Sequence, residues 1–209
     1  MTHKYDKTLD VILENNAGII TSAEAQEAGA TRPTFSDYVR RRGLERTSRG
    51  VYIDPDVFPD EMALLQKRFP KAVFSHDSAL YLHDLTDRKP MPISVTVDSN
   101  YNAGPLRDQG VRIYYVKPEW YELGLTEVET PGGIKVRAYD KERTICDLIR
   151  KRATVDSAVF RQAIHDYTRS KDKDLARLSS YARAMNMESR VFEVMEVALE
   201  PVSGGKPLR

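Results

Sequence analysis

The strongest constraint on the fold is a change of hydrophobic period within residues 1 to 54. Tyr5, Leu9, Ile12 and Leu13 recur at i, i+4, i+7 and i+8, one apolar stripe of a helix that Gly18 can close with a left-handed residue. Thr21 with Glu24 three positions later is a capping-box pattern, and Ala23, Ala25 and Ala28 build a short helix that Gly29 stops. Small side chains let a neighbouring helix approach. Thr31 as N-cap, Pro33 in the first turn and Gly43 past the end delimit a third helix. The period then drops to that of strands: Leu44 to Thr47 and Val51 to Ile53 flank a turn in which Gly50 supplies a positive φ. Three short helices followed by a hairpin is the order of a winged helix-turn-helix.

Charge sharpens this reading only locally, because 32 Lys+Arg against 31 Asp+Glu leave a formal net charge of +1 for the 209-residue chain. From Thr31 to Gly50, six arginines face two acids, Asp37 and Glu45. On the third helix, Phe35, Tyr38, Val39 and Arg42 share one face by spacing and are expected to pack inward. Thr34, Ser36, Asp37, Arg40 and Arg41 fall on the other. A basic helix beside a basic hairpin suits double-stranded DNA, with arginines on phosphates and short polar side chains on base edges in the major groove. The expected contacts are Arg32, Arg40, Arg41, Arg46 and Arg49 for the backbone, and Thr34 and Ser36 for bases. The competing reading is a protein-binding adaptor whose charged helix mediates contacts with another chain.

Pro55 and Pro59 mark a linker, which predicts a second domain over residues 60 to 209. Met62, Leu65 and Phe69 fit a helix. Ile93, Val95 and Val97, then Val111, Ile113 and Tyr115, alternate as half-buried strands, and a hairpin runs from Val128 through Pro131-Gly132-Gly133 to Ala138. From Asp140 the period is helical to Leu199, and Ser203 to Arg209 reads as a loose tail. The fold class is therefore α+β: a winged helix-turn-helix followed by a mixed α/β domain that ends in a helical block. That block is mildly basic, with fourteen Lys+Arg against eleven Asp+Glu from Asp140 onward, and Arg150-Lys151-Arg152 is its candidate binding surface.

Signatures of catalysis are weak. His76, Asp77, His83 and Asp84 include metal-type ligands, but seven residues of helix span about 10 Å, too far for one ion, so structural histidines are expected, with Ser75 as a helix cap. The chain has no Gly-rich phosphate loop, no Gly-x-Ser-x-Gly elbow and one cysteine, Cys146, between apolar Ile145 and Leu148. Asp98, Glu127, Glu129 and Lys135 lack the spacing of a metal-dependent nuclease strand. The expectation is a non-enzymatic cytoplasmic protein without cofactor or metal, since the first residues are too polar for a secretory signal and no segment reaches the ~18 apolar residues of a membrane span.

Three segments together resemble the AbiEi family, the antitoxins of type IV (AbiE) toxin-antitoxin systems in bacterial abortive infection and phage defence. They are the hairpin Leu44-Glu45-Arg46-Thr47-Ser48-Arg49-Gly50-Val51-Tyr52; Phe74-Ser75-His76-Asp77-Ser78-Ala79-Leu80 with Leu82-His83-Asp84-Leu85; and Asp140-Lys141-Glu142-Arg143-Thr144-Ile145-Cys146-Asp147-Leu148. The resemblance implies a transcriptional repressor that binds inverted repeats in its own promoter. It also implies a C-terminal domain that counters a co-encoded nucleotidyltransferase toxin without a stable complex. It brings no catalytic residue; Arg143, Thr144 and Asp147 are expected to cap the helix start or pair there. A stable-complex antitoxin is the alternative.

Overall fold

A computed structural model describes residues 4 to 199, so the tail expected from Ser203 to Arg209 lies outside the described residues. The chain is α+β, and its contacts group it into two compact units, Met1–Ala72 with Glu127–Arg137, and Val73–Thr126 with Ala138–Arg209. No helix among the described residues is long and apolar enough to cross a membrane.

The first unit begins with α1 (Asp6–Asn15), β1 (Ile19–Thr21), α2 (Ser22–Glu27), α3 (Arg32–Arg42), β2 (Glu45–Ser48) and β3 (Val51–Ile53). The capping box forms as its pattern predicts: Thr21 Oγ1 accepts from Glu24 N at 3.1 Å and Glu24 Oε2 accepts from Thr21 N at 2.9 Å. Thr31 caps α3, Pro33 fills its first turn, and Gly43 ends it at φ 70°, a left-handed position that favours glycine. Leu9, Leu13, Ile20, Ala25, Phe35, Tyr38 and Leu44 form the core, with Tyr52 edge-on to Phe35 at 5.3 Å. Burying a side chain the size of Leu or Phe contributes roughly 1.5–3 kcal/mol, which is why the stripe of α1 and the Phe35/Tyr38 face of α3 seek one another. Arg42, expected inward, stays about half exposed and pairs with Asp10 at 3.1 Å.

Sheet order in this unit is β1-β3-β2, antiparallel throughout, with a register shift between Arg46 and Ser48. Periodicity did not reveal β1, because three residues are too few to alternate.

The unit also takes in α4 (Glu61–Arg68) and the hairpin arm at residues 127–137, a grouping that differs from one cut at 55 to 59. Its physical basis is polar. Asp60 Oδ1 accepts from Met62 N and Ala63 N to cap α4, while Oδ2 accepts from Thr130 Oγ1 at 2.5 Å. Gln66 Oε1 accepts from Arg137 N at 2.8 Å, and Arg137 Nη1 donates to Pro70 O at 2.9 Å. A Cβ on Gly132 would sit 2.7 Å from Asp60 Oδ2, so a side chain there would push the carboxylate off Thr130.

The rest comprises β4 (Val73–Phe74), α5 (Asp77–Leu82), β5 (Ser94–Asp98), α6 (Gly104–Arg107), β6 (Arg112–Val116), α7 (Pro118–Tyr121), β7 (Leu125–Glu129), β8 (Lys135–Tyr139), α8 (Lys141–Arg150), α9 (Ser157–Arg169), α10 (Leu175–Ala184) and α11 (Glu188–Leu199). The second sheet has the strand order β6-β5-β4-β8-β7, with β5 and β6 parallel from Ser94↔Arg112 to Asp98↔Val116. Ile145, Leu148, Phe160, Tyr167, Leu178 and Met195 carry the helical core of the second unit. Cys146 lies fully buried within it, and burial pushes its thiol up to about 12, so it is an inert packing residue.

Candidate nucleic-acid interface

The side chains expected to meet DNA divide into two groups. Arg32 and Ser36 of α3, with Arg46 and Arg49 of the β2–β3 hairpin, all exposed, line one groove of about 850 Å³. Lys67 of α4 and Lys135 and Arg137 of the hairpin arm line it too, so six cations face two carboxylates, Glu24 and Glu127. Part of that charge is already neutralised: Lys67 pairs with Glu24 and also donates to Asn16 Oδ1. Arg32, Arg46, Arg49 and Lys135 make no ion pair with any described residue, and the one hydrogen bond of Arg46 runs from Nε to Ser48 O at 3.2 Å. Four unneutralised cations therefore meet in one concave surface.

The second group is engaged elsewhere. Arg41 donates from Nη1 and Nη2 to the two carboxylate oxygens of Asp6, at 2.9 and 2.8 Å, and from Nε to Asp37 at 2.8 Å. Asp6 first, then Asp37, hold its guanidinium further above the ordinary arginine value, while Arg41 and then Arg40 hold the Asp37 carboxyl low. Arg40 is highly exposed and reaches Asp37 at 2.5 Å. Both arginines lie outside the groove lining. The Thr34 hydroxyl sits 2.8 Å from that of its own helix cap, Thr31, which occupies the group expected to read a base. Tyr38, on the inward face, donates to Asp10 Oδ1 at 2.7 Å, and burial, followed by Asp10, pushes its phenol well above the usual range.

Lys135 escaped the sequence reading as a groove residue. Its strand pattern shows only an exposed lysine between Ile134 and Val136, and nothing local says that this hairpin folds back onto the first unit.

The basic run of the helical block is likewise mixed. Arg150 is half-buried, donates from Nη2 to Met185 O at 2.7 Å, and lies 4.6 Å over the Trp120 ring, so its role is packing. Lys151 and Arg152 are exposed, Arg152 resting 4.0 Å over Phe160. Arg143 has no exposure and donates to Asp147 Oδ2 (3.1 Å), Trp120 O (2.6 Å) and Leu123 O (2.8 Å), the ion pair expected of this helix start. Asp140 caps the same helix through Arg143 N at 2.8 Å.

The two histidines expected to be structural are held in different ways. His83 Nε2 donates to Tyr139 O at 2.7 Å, a structural bond. Ser75 does not cap α5: its hydroxyl bonds to His76 Nδ1, and the helix starts after His76, whose φ is 51°. Among the described residues, no three His, Cys, Asp or Glu side chains converge as metal ligands.

No family model and no curated protein matches the chain. A solved structure does: the crystal structure of the RV2827C protein from Mycobacterium tuberculosis, with a TM-score of 0.52 over 95% of this chain and 82% of that one. At 15% sequence identity, what the two share is the fold.

Proposed function

We propose that the protein is a DNA-binding transcriptional autorepressor and antitoxin of the AbiEi kind. In this reading residues 1 to 54 form a winged helix-turn-helix, with α3 as recognition helix and the β2–β3 hairpin as wing. The observation that carries it is the convergence of Arg32, Ser36, Arg46 and Arg49 on one basic groove. Unpaired cations between a helix and a hairpin suit the path of a phosphate backbone, and Ser36 on the exposed face of α3 is the better base-reading side chain because Thr34 is occupied. Arg40 and Arg41 belong to the support of α3, and Lys135 extends the phosphate-binding surface.

The antitoxin half rests on the three motif segments. It makes the second unit the part that counters a co-encoded nucleotidyltransferase, with Lys151 and Arg152 as the exposed members of its basic run. Co-expression of the full chain with the nucleotidyltransferase of the neighbouring gene tests it: growth is restored, and restoration falls when Lys151 and Arg152 become alanine.

For the DNA half, the full chain is titrated onto duplex DNA from upstream of its own gene over a range of salt. The expected result is saturable binding that weakens steeply as salt rises. Salt-insensitive binding, or none, would favour the protein-binding adaptor instead.

A further inference from the structure

We propose that a small cavity in the second unit, beneath His76 and Tyr114, is a binding site for a small organic anion with a phosphate or carboxylate head and an apolar or aromatic body. The cavity measures about 280 Å³. At about 30 Å³ per liquid water it holds the equivalent of about nine waters, the bulk of one ring with its acidic head. Its apolar wall comes from Leu80, Leu148, Val155 and Val159, and its rim from Arg88, Lys89 and Arg112 against Asp77 and Asp156.

His76 is the group that marks this cavity as built. It is almost fully buried, and its backbone holds φ 51° and ψ −124°, a region that side-chain-bearing residues avoid. Two contacts hold it there. The imidazole stacks on the Tyr114 ring at 3.5 Å with an interplanar angle of 9°, and Nδ1 lies 3.0 Å from Ser75 Oγ. Thr96 Oγ1 donates to Ser75 Oγ at 2.8 Å, so the Ser75 proton is available to His76 Nδ1. Ser75 and Thr96 are both fully buried. Burial, the largest influence on the ring, keeps it neutral. In the tautomer whose Nδ1 accepts from Ser75, the ring proton sits on Nε2, which has no hydrogen-bond partner among the described residues. The cavity is thus lined by a neutral imidazole held in a fixed orientation.

Charge selects the ligand's sign. Arg112 meets Asp77 at 2.8 Å and Arg88 meets Asp156 at 3.7 Å, both pairs well exposed, so each guanidinium keeps donors for a further acceptor. Arg112 and Arg88 answer the two rim carboxylates, and Lys151, 5.7 Å from the Tyr114 ring, adds positive charge beside the lining. Thr154 contributes no donor, since its hydroxyl already bonds to Lys151 O. A single anionic head at the rim meets the guanidiniums of Arg88 and Arg112, with its body against the valines and leucines.

Phenyl phosphate and benzoate, titrated into the full-length protein, separate the two kinds of head; inorganic phosphate and benzyl alcohol supply head and body alone. Binding is read by calorimetry and by the ring resonances of the four histidines. The expected result is saturable binding of at least one of the two anions at about 1 mM or tighter, with a shift of the His76 ring signals. Arg88→Ala with Arg112→Ala, both exposed positions, weakens it at least tenfold, and Val159→Phe fills the cavity and abolishes it. The proposal is overturned if neither anion saturates below about 10 mM. It is equally overturned if the double alanine variant binds as the parent does, or if inorganic phosphate or benzyl alcohol alone binds as tightly as the anion.

Discussion

Replacing Arg46 and Arg49 together by alanine removes half of the unpaired positive charge that Arg32, Arg46, Arg49 and Lys135 place in the groove. Each phosphate neutralised contributes a slope of about −0.9 to log K against log salt, so four contacts give roughly −3.6 per protomer. Raising salt from about 50 to about 200 mM then weakens the parent by about 150-fold and the double variant, with a slope near −1.8, by only about 12-fold. Arg41→Ala supplies the contrast. Its guanidinium is already neutralised by Asp6 and Asp37, so the slope stays unchanged while thermal stability drops because the buried Asp6 carboxylate loses both bonds to this guanidinium. Fluorescence anisotropy on a labelled upstream duplex measures all three. Were the double variant to keep the parental slope, or Arg41→Ala to lower it as much as the double variant does, the assignment of the groove would be wrong.

Charge reversal at Lys135 is expected to weaken the same duplex binding more than Lys135→Ala does, measured in the same assay; equality with the parent would remove the hairpin arm from the interface. Arg143→Ala strands the Asp147 carboxylate in the core and breaks two carbonyl bonds, which costs about 3–5 kcal/mol in urea unfolding; a loss under about 1 kcal/mol would contradict the geometry. His76 and His83 are both held below the ordinary histidine value by burial, so the unfolded chain binds protons that the folded chain refuses. Stability therefore falls as pH drops below about 6.5, where unfolded histidine becomes protonated, and NMR titration shows both rings neutral at pH values where a free histidine is charged.

How much of this was legible in the sequence depends on the range of the interaction that decides each feature. The capping box at Thr21, the N-cap at Thr31 and the stop at Gly43 are settled by neighbours within four residues, and all three form as read. The strand at Ile19–Thr21 and the two-residue Val73–Phe74 are too short to show a period; tertiary pairing creates them. Helical spacing put Arg41 on the polar face, but the partner that commits it, Asp6, comes from another helix. Arg42 fell on the inward face by the same geometry, yet its length lets the charged end reach Asp10 near solvent. The hairpin arm is the clearest case: its own residues read correctly as a hairpin, while its attachment to Asp60 and Gln66 depends on hydrogen bonds between distant segments. His76 looked like a helix residue beside a capping serine, and only the stacking on Tyr114 and the bond to Ser75 reveal why it departs from the helical backbone.

A hydroxyl-radical footprint of the full chain on the DNA upstream of its own gene tests the central claim most directly. The account predicts two protected patches related by an inverted repeat, protection that fades as salt rises, and loss of both patches in the Arg46→Ala/Arg49→Ala variant. Uniform cleavage of the upstream DNA at low salt, or equal protection of an unrelated duplex, would contradict a sequence-reading repressor built on this groove.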